Sequence, residues 1–159
     1  MYLETTRLIL RSFAIEDLQQ FAAIQADPEV MKYIGGVQPA EDSRLQLLEI
    51  IRLEQEFGLA RFAVERKDLP GLIGYCGFKP AGEFVDLGYQ YGKQAWGQGI
   101  GLEAANTIRE YGLSELGITN MEAGGSIRNI ASVKIMKQLG FANREELIFD
   151  GQPAIRFFD

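Results

Sequence analysis

The sequence contains no histidine and a single cysteine, Cys76. Without histidine, Ser–His–Asp triads, HExxH zinc motifs and imidazole general bases are all excluded. One cysteine excludes an internal disulfide, and with no histidine beside it we expect no metal site. Cys76 lies in the apolar stretch IGYCGF, which predicts a core residue rather than a nucleophile. Acid–base chemistry must therefore come from carboxylates, Tyr, Lys, Ser or water.

Basic residues and long apolar runs are also scarce. The 159 residues include 16 Lys and Arg against 22 Asp and Glu, a net charge of −6 that disfavours nucleic acid as a partner. No apolar run approaches the ~18 residues of a membrane span, and MYLETTRL lacks a signal-peptide pattern. We therefore expect a cytoplasmic protein with no membrane partner, folded as one domain over residues 1–159.

The most informative segment is residues 89–105, with the sequence YQYGKQAWGQGIGLEAA. It predicts a strand, a glycine-rich turn and the start of a helix, with Gly97, Gly99 and Gly101 at alternate positions. Helix N-termini carry unpaired N–H groups and the positive end of the helix dipole, and glycine lets a ligand approach the backbone closely. The segment therefore predicts an anion site, which suits a phosphorylated cofactor.

Two other interpretations of this turn are a glycine loop without a ligand and a dinucleotide-binding fingerprint. Residues 99–104 fit G-x-G-x-x-A, and Glu122 follows about twenty residues later, as a site for NAD requires. However, residues 92–95 separate the glycines from the preceding strand, and only residues 123–159 remain for a second nucleotide-binding half. The dinucleotide interpretation is therefore disfavoured.

Hydrophobic periodicity and Gly/Pro breaks predict the order β-α-α-β-β-β-α-β-α-β-β. The predicted strands cover residues 7–13, 59–66, 72–79, 83–91, 118–123, 141–149 and 154–158. The predicted helices cover residues 15–26, 41–57, the glycine turn to about 113, and 129–139. This order predicts a mixed α/β (α+β) sheet that is neither doubly wound nor a barrel.

Five segments together resemble a known family: LETTRLILRSF, DPEVMKYIGG, LIGYCGF, DLGYQYGKQAWGQGIGLEAA and NIASVKIMKQLGF. They resemble the GNAT superfamily of acyl-CoA-dependent N-acyltransferases, and most closely its ribosomal-protein N-terminal acetyltransferase-like branch. The resemblance implies a mostly antiparallel sheet of about seven strands with about four helices, splayed between the fourth and fifth strands. It also implies transfer of an acetyl group from acetyl-CoA to a primary amine in a ternary complex.

The resemblance further implies three sets of residues that contact coenzyme A. The turn would wrap the pyrophosphate in backbone amides, through Trp96, Gly97, Gln98, Gly99, Ile100, Gly101 and Leu102. The free edge of the fourth strand would pair with pantetheine through Leu87, Gly88, Tyr89, Gln90 and Tyr91. Amides near Gly88 and Tyr89 would polarise the thioester carbonyl. As a bare residue Gly88 is equally an ordinary β-bulge, and the two interpretations are compatible because a bulge would let the strand splay. Asn129 and Ser132 would contact the cofactor, although as bare residues they are equally an N-cap and a first-turn hydroxyl.

By the same resemblance, Asp86 is the candidate general base, acting through water. Strand alternation puts Glu83 on the opposite face from Asp86, so only one of them can point into the cleft. The leaving thiolate takes its proton from Ser132, from water or from nothing, because Met136 occupies the position where many relatives carry a tyrosine. Glu103 is expected to orient the turn. Both strand carboxylates could also be merely solvated.

The acceptor pocket is expected from residues 27–39, including Met31, Tyr33 and Ile34, and from the turn at 149–153, with Glu83 near the substrate. The acceptor itself, a protein amino terminus or a small-molecule amine, is not specified by these residues. Both a monomer and a homodimer are compatible with the sequence. A non-catalytic acyl-CoA sensor with the same fold is the alternative to an enzyme.

Overall fold

Eight strands form one open sheet in the computed structural model, which describes residues 1–159. The strands are β1 (Tyr2–Glu4), β2 (Leu8–Arg11), β3 (Arg61–Arg66), β4 (Leu72–Ala81), β5 (Phe84–Tyr91), β6 (Met121–Ser126), β7 (Asn143–Phe149) and β8 (Gln152–Phe158). They lie in the order β1-β2-β3-β4-β5-β6-β8-β7, and only β5 and β6 are parallel. The predicted mixed, mostly antiparallel sheet is confirmed, and the strand beyond the predicted seven is the short β1.

Five α-helices cover the sheet: α1 (Leu18–Gln25), α2 (Pro28–Met31), α3 (Ala40–Phe57), α4 (Ile100–Ser114) and α5 (Ile130–Gln138). The helix beyond the predicted four is α2, in a segment predicted as a loop with a helical turn. Asp27 caps α2 by accepting from the N–H of Glu29 at 2.9 Å, and Pro28 occupies its first position. None of the five helices combines the length and the apolar character that a membrane span needs.

Side-chain alternation along β4 and β5 divides the sheet into two faces. On the first, called the α4 face, Gly101 of α4 packs so closely on Tyr91 that an added Cβ would lie 3.1 Å from its ring. On the second, called the α1 face, the ring of Tyr75 lies 6.2 Å from that of Phe21 in α1. Because alternate residues point to opposite faces, Leu87, Tyr89 and Tyr91 point to the α4 face and Asp86, Gly88 and Gln90 to the α1 face.

The hydrophobic core lies on both faces of the central strands. Its largest fully buried side chains include Leu8, Leu10, Phe21, Leu47, Phe62, Phe78 and Ile108. Full burial of each such side chain contributes about 1.5–3 kcal/mol. A smaller cluster lies beneath α5 and consists of Ala123, Val133, Met136, Ile155 and Phe157. The core thus holds the central strands rigidly while β5 and β6 diverge.

The divergence of β5 and β6 creates an opening in the sheet. Their pairing is limited to Val85↔Met121 and Asp86↔Glu122, after which β6 pairs only with β8. The predicted splay is therefore confirmed. The alternative interpretation of Gly88 as a β-bulge is wrong, because the β4–β5 register is continuous through Gly88.

Candidate active site

The glycine turn presents a row of free backbone donors at the start of α4. Gly97 and Gly99 have φ values of 69° and 73°, in the left-handed region that favours glycine. The six N–H groups of residues 97–102 donate to no acceptor in the protein. A Cβ added to Gly97 would meet no atom within 4 Å. The predicted turn thus has the donors and the open space that an anionic pyrophosphate requires.

Arg7, the residue directly before β2, holds this turn in place. Arg7 Nη1 donates to the carbonyl oxygen of Gln98 at 2.7 Å, and Arg7 Nε donates to Glu103 Oε2 at 2.7 Å. Because a trans peptide is planar, fixing the Gln98 carbonyl toward Arg7 directs the N–H of Gly99 the opposite way. Arg66 adds a hydrogen bond from Nη1 to Gln98 Oε1 at 2.8 Å. The contact with Arg7 therefore sets the direction of the Gly99 N–H, one of the six free amides of the turn.

Glu103 is held in its ionised form. Partial burial raises the pKa of this carboxyl, but hydrogen bonds from Thr5 and Arg7 outweigh burial and lower the pKa below its usual value. Thr5 Oγ1 donates to Glu103 Oε1 at 2.5 Å. Glu103 was predicted to orient the turn, and in the structure it is connected to the turn through Arg7, which also donates to the Gln98 carbonyl.

The edge of β5 faces the opening after Asp86. The N–H of Val85 donates to the carbonyl of Asn120 on the β6 side, at 3.0 Å. Since N–H groups alternate sides along a strand, the N–H of Tyr89 points the same way, into the opening. Farther along, the indole of Trp96 donates from Nε1 to the carbonyl oxygen of Tyr91 at 2.8 Å. The part of the edge around Tyr89 thus offers a free donor, whereas the Tyr91 carbonyl is already bound.

The side chain of Tyr89 joins Ser132 across the opening. Its hydroxyl donates to the Ser132 carbonyl at 3.0 Å and lies 3.1 Å from Ser132 Oγ. Burial raises the pKa of Tyr89 well above its usual value, so the phenol keeps its proton. Asn129 caps α5 by accepting from the N–H of Ser132 at 3.2 Å, as the capping interpretation predicted. Met136 lies in the smaller hydrophobic cluster beneath α5.

The Tyr89 hydroxyl is a candidate functional group that was not predicted from the sequence. The prediction gave Tyr89 a role through its backbone and left Met136 as the position that lacks a proton donor. Strand alternation with Leu87 and Tyr91 was the available signal, since it places Tyr89 on the face that α5 covers. The structure brings Tyr89, Ser132 and Asn129 together at one point.

Asp86 points to the α1 face, where the guanidinium of Arg61 forms an ion pair with it. Their side chains are 29% and 14% exposed, so the pair is largely shielded while Asp86 stays accessible. Glu83, predicted to lie on the same strand, lies instead in the turn before β5, where its carbonyl accepts from Asn120 Nδ2. Glu83 and Asp86 were predicted to lie on opposite faces of one strand. In the structure they are separated because Glu83 lies in the turn and only Asp86 lies on β5.

The segment predicted to form the acceptor pocket lies against the end of β5. Met31 is buried, and its sulfur accepts a hydrogen bond from Gln90 Nε2 at 2.7 Å, which ties α2 to the α1 face. Tyr33 and Ile34 follow it and are exposed, at 38% and 42%. Met31 thus anchors the loop, and the two exposed side chains lie beyond this anchor.

Comparisons with known proteins agree with this geometry. Residues 7–142 match the family model described as an acetyltransferase (GNAT) domain. The chain is 31% identical over 160 residues to the uncharacterized N-acetyltransferase p20 of Bacillus licheniformis, covering 96% of this chain and 88% of p20.

Solved structures share the fold over the full chain. A GNAT-family acetyltransferase from Bacillus anthracis superimposes with a TM-score of 0.84 at 23% identity, covering 100% of this chain and 98% of the other. The ribosomal L7/L12 alpha-N-protein acetyltransferase RimL, in complex with coenzyme A, superimposes with a TM-score of 0.85 at 14% identity, covering 100% and 97%.

Proposed function

Because this chain belongs to the GNAT family of acetyltransferases, we propose that it transfers the acetyl group of acetyl-CoA directly to a primary amine in a ternary complex. The observation that carries the proposal is the row of six free amides at residues 97–102 beside the opening between β5 and β6. A phosphate group and an extended thioester arm need these two features side by side.

The residues present fit acetyl-CoA in three places. The amides of residues 97–102 hold the pyrophosphate, with Trp96 at the start of the turn. The β5 edge from Leu87 to Tyr91 holds the pantetheine arm, and Asn129 and Ser132 line its other side. Bound there, acetyl-CoA supplies an acyl group activated as a thioester.

The chain's own groups then perform the acid–base work. Asp86, the one strand carboxylate on the α1 face of β5, takes the proton of the incoming ammonium through water. The N–H of Tyr89, directed into the opening, stabilises the negative charge that develops on the thioester oxygen. The Tyr89 hydroxyl, coupled to Ser132, donates a proton to the leaving sulfur, since burial keeps that phenol protonated.

We propose that the acceptor enters over the α1 face, between the loop after α2 and the tip of the β7–β8 hairpin. Tyr33 and Ile34 contact it, Met31 supports them, and Glu83 lies at the edge. The acceptor is a protein amino terminus or a small-molecule amine. The likeness to RimL, which by its name acts on ribosomal L7/L12, supports placing this chain in the ribosomal-protein branch.

The test begins with calorimetric titration of the purified protein with acetyl-CoA, and with NAD in parallel. We expect micromolar binding of acetyl-CoA and no heat from NAD, and the reverse pattern contradicts the proposal. Transfer is then measured with spermidine, tyramine and a short peptide with a free amino terminus. Binding of acetyl-CoA without transfer to any acceptor supports the non-catalytic acyl-CoA sensor instead.

A further inference from the structure

Two glycines form a channel across the sheet that is filled by one arginine side chain. Arg61 of β3 is in register with Gly77 of β4, and Gly77 is in register with Gly88 of β5. Directly paired residues share a face, so all three positions lie on the α1 face. A Cβ added to Gly88 would lie 2.7 Å from Arg61 Cζ. The guanidinium therefore occupies the space that a side chain at position 88 would need.

The channel leads the Arg61 guanidinium to Asp86. Nη2 forms the ion pair with Asp86 Oδ2, while Nη1 donates to the Asp86 carbonyl at 2.9 Å and to the Gly77 carbonyl at 2.6 Å. Arg61 therefore holds both the side chain and the peptide of Asp86. The other carboxylate oxygen, Oδ1, accepts no hydrogen bond from the protein, and the Asp86 side chain is partly exposed.

We propose that Arg61 is a positioning residue for the transfer reaction, one that holds Asp86 Oδ2 so that Oδ1 is presented to the acceptor amine. The inference rests on the proposed role of Asp86 as the base. It explains why β5 carries glycine at position 88, because a side chain there would displace the guanidinium from Asp86.

Arg61 is the charged group in hydrogen-bond contact with Asp86. Other charged or titratable groups face Asp86 from the neighbouring strands: Lys79 directly opposite on β4, Glu122 directly opposite on β6, and Tyr75 on β4. None of these three side chains forms a hydrogen bond with Asp86, so the orientation of its carboxylate depends on Arg61.

The experiment compares Arg61→Met, Arg61→Lys and Gly88→Ala with Arg52→Met as the control. Arg52 is an exposed arginine of α3 that pairs with Glu49 and Glu56, so its loss removes the same charge away from the site. The readouts are kcat and KM with the best acceptor of the panel, the affinity for acetyl-CoA, and the 13C carboxyl chemical shift of Asp86 at neutral pH, identified with Asp86→Asn.

For Arg61→Met we expect kcat to fall about tenfold, which is part of the roughly 100-fold or more that a general base supplies. The 13C carboxyl resonance of Asp86 changes its chemical shift because the guanidinium contact is lost, while acetyl-CoA affinity is unchanged. Arg61→Lys restores only part of the rate, because an ammonium keeps the charge without the forked geometry.

Gly88→Ala gives a second route to the same effect. It should reproduce the loss of kcat and the changed Asp86 resonance of Arg61→Met, and combining the two should add nothing further, since both break one contact. The proposal is overturned if Arg61→Met lowers only thermal stability and leaves kcat and the Asp86 resonance in place. If the resonance moves but Asp86→Asn leaves the rate unchanged, the assignment of Asp86 as base fails, and the positioning role fails with it.

Discussion

The guanidinium of Arg7 binds the carboxylate of Glu103, which lies 96 residues later in the chain. The same guanidinium also donates to the carbonyl oxygen of Gln98, so one arginine connects the start of β2 to both the glycine turn and the first turn of α4. The glycine turn is therefore held by contacts between residues that lie far apart in the chain.

Replacing Arg7 by Met should weaken binding of acetyl-CoA. The Gln98 peptide loses the contact that directs the Gly99 amide, at a cost of roughly 1 kcal/mol, or about fivefold in the dissociation constant. Calorimetry with acetyl-CoA measures the change. Arg44→Met is the matched control, because Arg44 pairs with Glu41 on the exposed surface of α3. Equal affinities for the two variants would show that the contact between Arg7 and the Gln98 carbonyl does not contribute to acetyl-CoA binding.

Replacing Gly97 by Ala should affect stability and binding separately. Ala at a φ of 69° costs about 1–2 kcal/mol of folding free energy. Gly117→Ala is the control, since Gly117 has a φ of 64°, open space around it and a position after α4. Both variants should lose similar thermal stability. Only Gly97→Ala should lose acetyl-CoA affinity, by about tenfold or 1.4 kcal/mol. The reason is that its methyl group enters the space beside the free amides of residues 97–102, where the pyrophosphate is proposed to bind.

The elements that the sequence predicted are those with a local signal. The glycine turn, α3 and the β7–β8 hairpin, whose turn residues Asp150 and Gly151 have φ values of 50° and 70°, all carry patterns within a few residues. By contrast, β1 has three residues and α2 has four, too few for a period to show. Pattern length therefore decided which elements could be predicted.

The candidate site divides in the same way. Its backbone parts, the amides of residues 97–102 and the β5 edge, follow from local sequence. Its side-chain contacts join distant positions: Arg61 and Asp86 are 25 residues apart, and Tyr89 and Ser132 are 43 apart. The strand register places Gly77 and Gly88 beside Arg61, and no local pattern contains that register. The β-bulge alternative for Gly88 accordingly came from local sequence, whereas the structure shows the Arg61 guanidinium in the space where a side chain at position 88 would lie.

Replacing Tyr89 by Phe should lower kcat and leave acetyl-CoA affinity nearly unchanged. The variant keeps the backbone N–H and the ring but removes the proton shared with Ser132. Because burial raises the pKa of this phenol, any alkaline limb that it causes in the wild-type profile should lie above about pH 10. Steady-state kinetics from pH 6 to above about pH 10 provides the test. An unchanged kcat in Tyr89→Phe would leave water as the proton donor.

Replacing Asp17 by Asn should destabilise the fold in a pH-dependent way. Burial raises the pKa of Asp17, but hydrogen bonds from Arg11, at 2.7 and 2.8 Å, and from the N–H of Ala14 outweigh it, so the pKa is lowered. A lowered carboxyl pKa contributes stability above the unfolded value of about 3.9, and this is lost as the pH falls through the folded value.

Asp17→Asn should therefore cost about 1–2 kcal/mol at pH 7, a figure reduced for solvent access to the pair. The difference from wild type should narrow below about pH 4. Denaturant unfolding at the two pH values measures it, with Asp68→Asn as the control because Asp68 pairs with Arg66 at an exposed position. A difference that is independent of pH would rule out the ionised carboxylate as its source.

Cys76 should take no part in the reaction. It is fully buried, and burial raises the pKa of its thiol to about 12, so almost no thiolate exists at neutral pH. We expect iodoacetamide to label Cys76 only after unfolding, and Cys76→Ala to retain turnover once corrected for its lower stability. An acyl-enzyme route would instead make Cys76→Ala inactive and leave a labelled thioester after incubation with radioactive acetyl-CoA. Since no other thiol exists in the chain, retained turnover in this variant excludes a thioester acyl-enzyme as an intermediate.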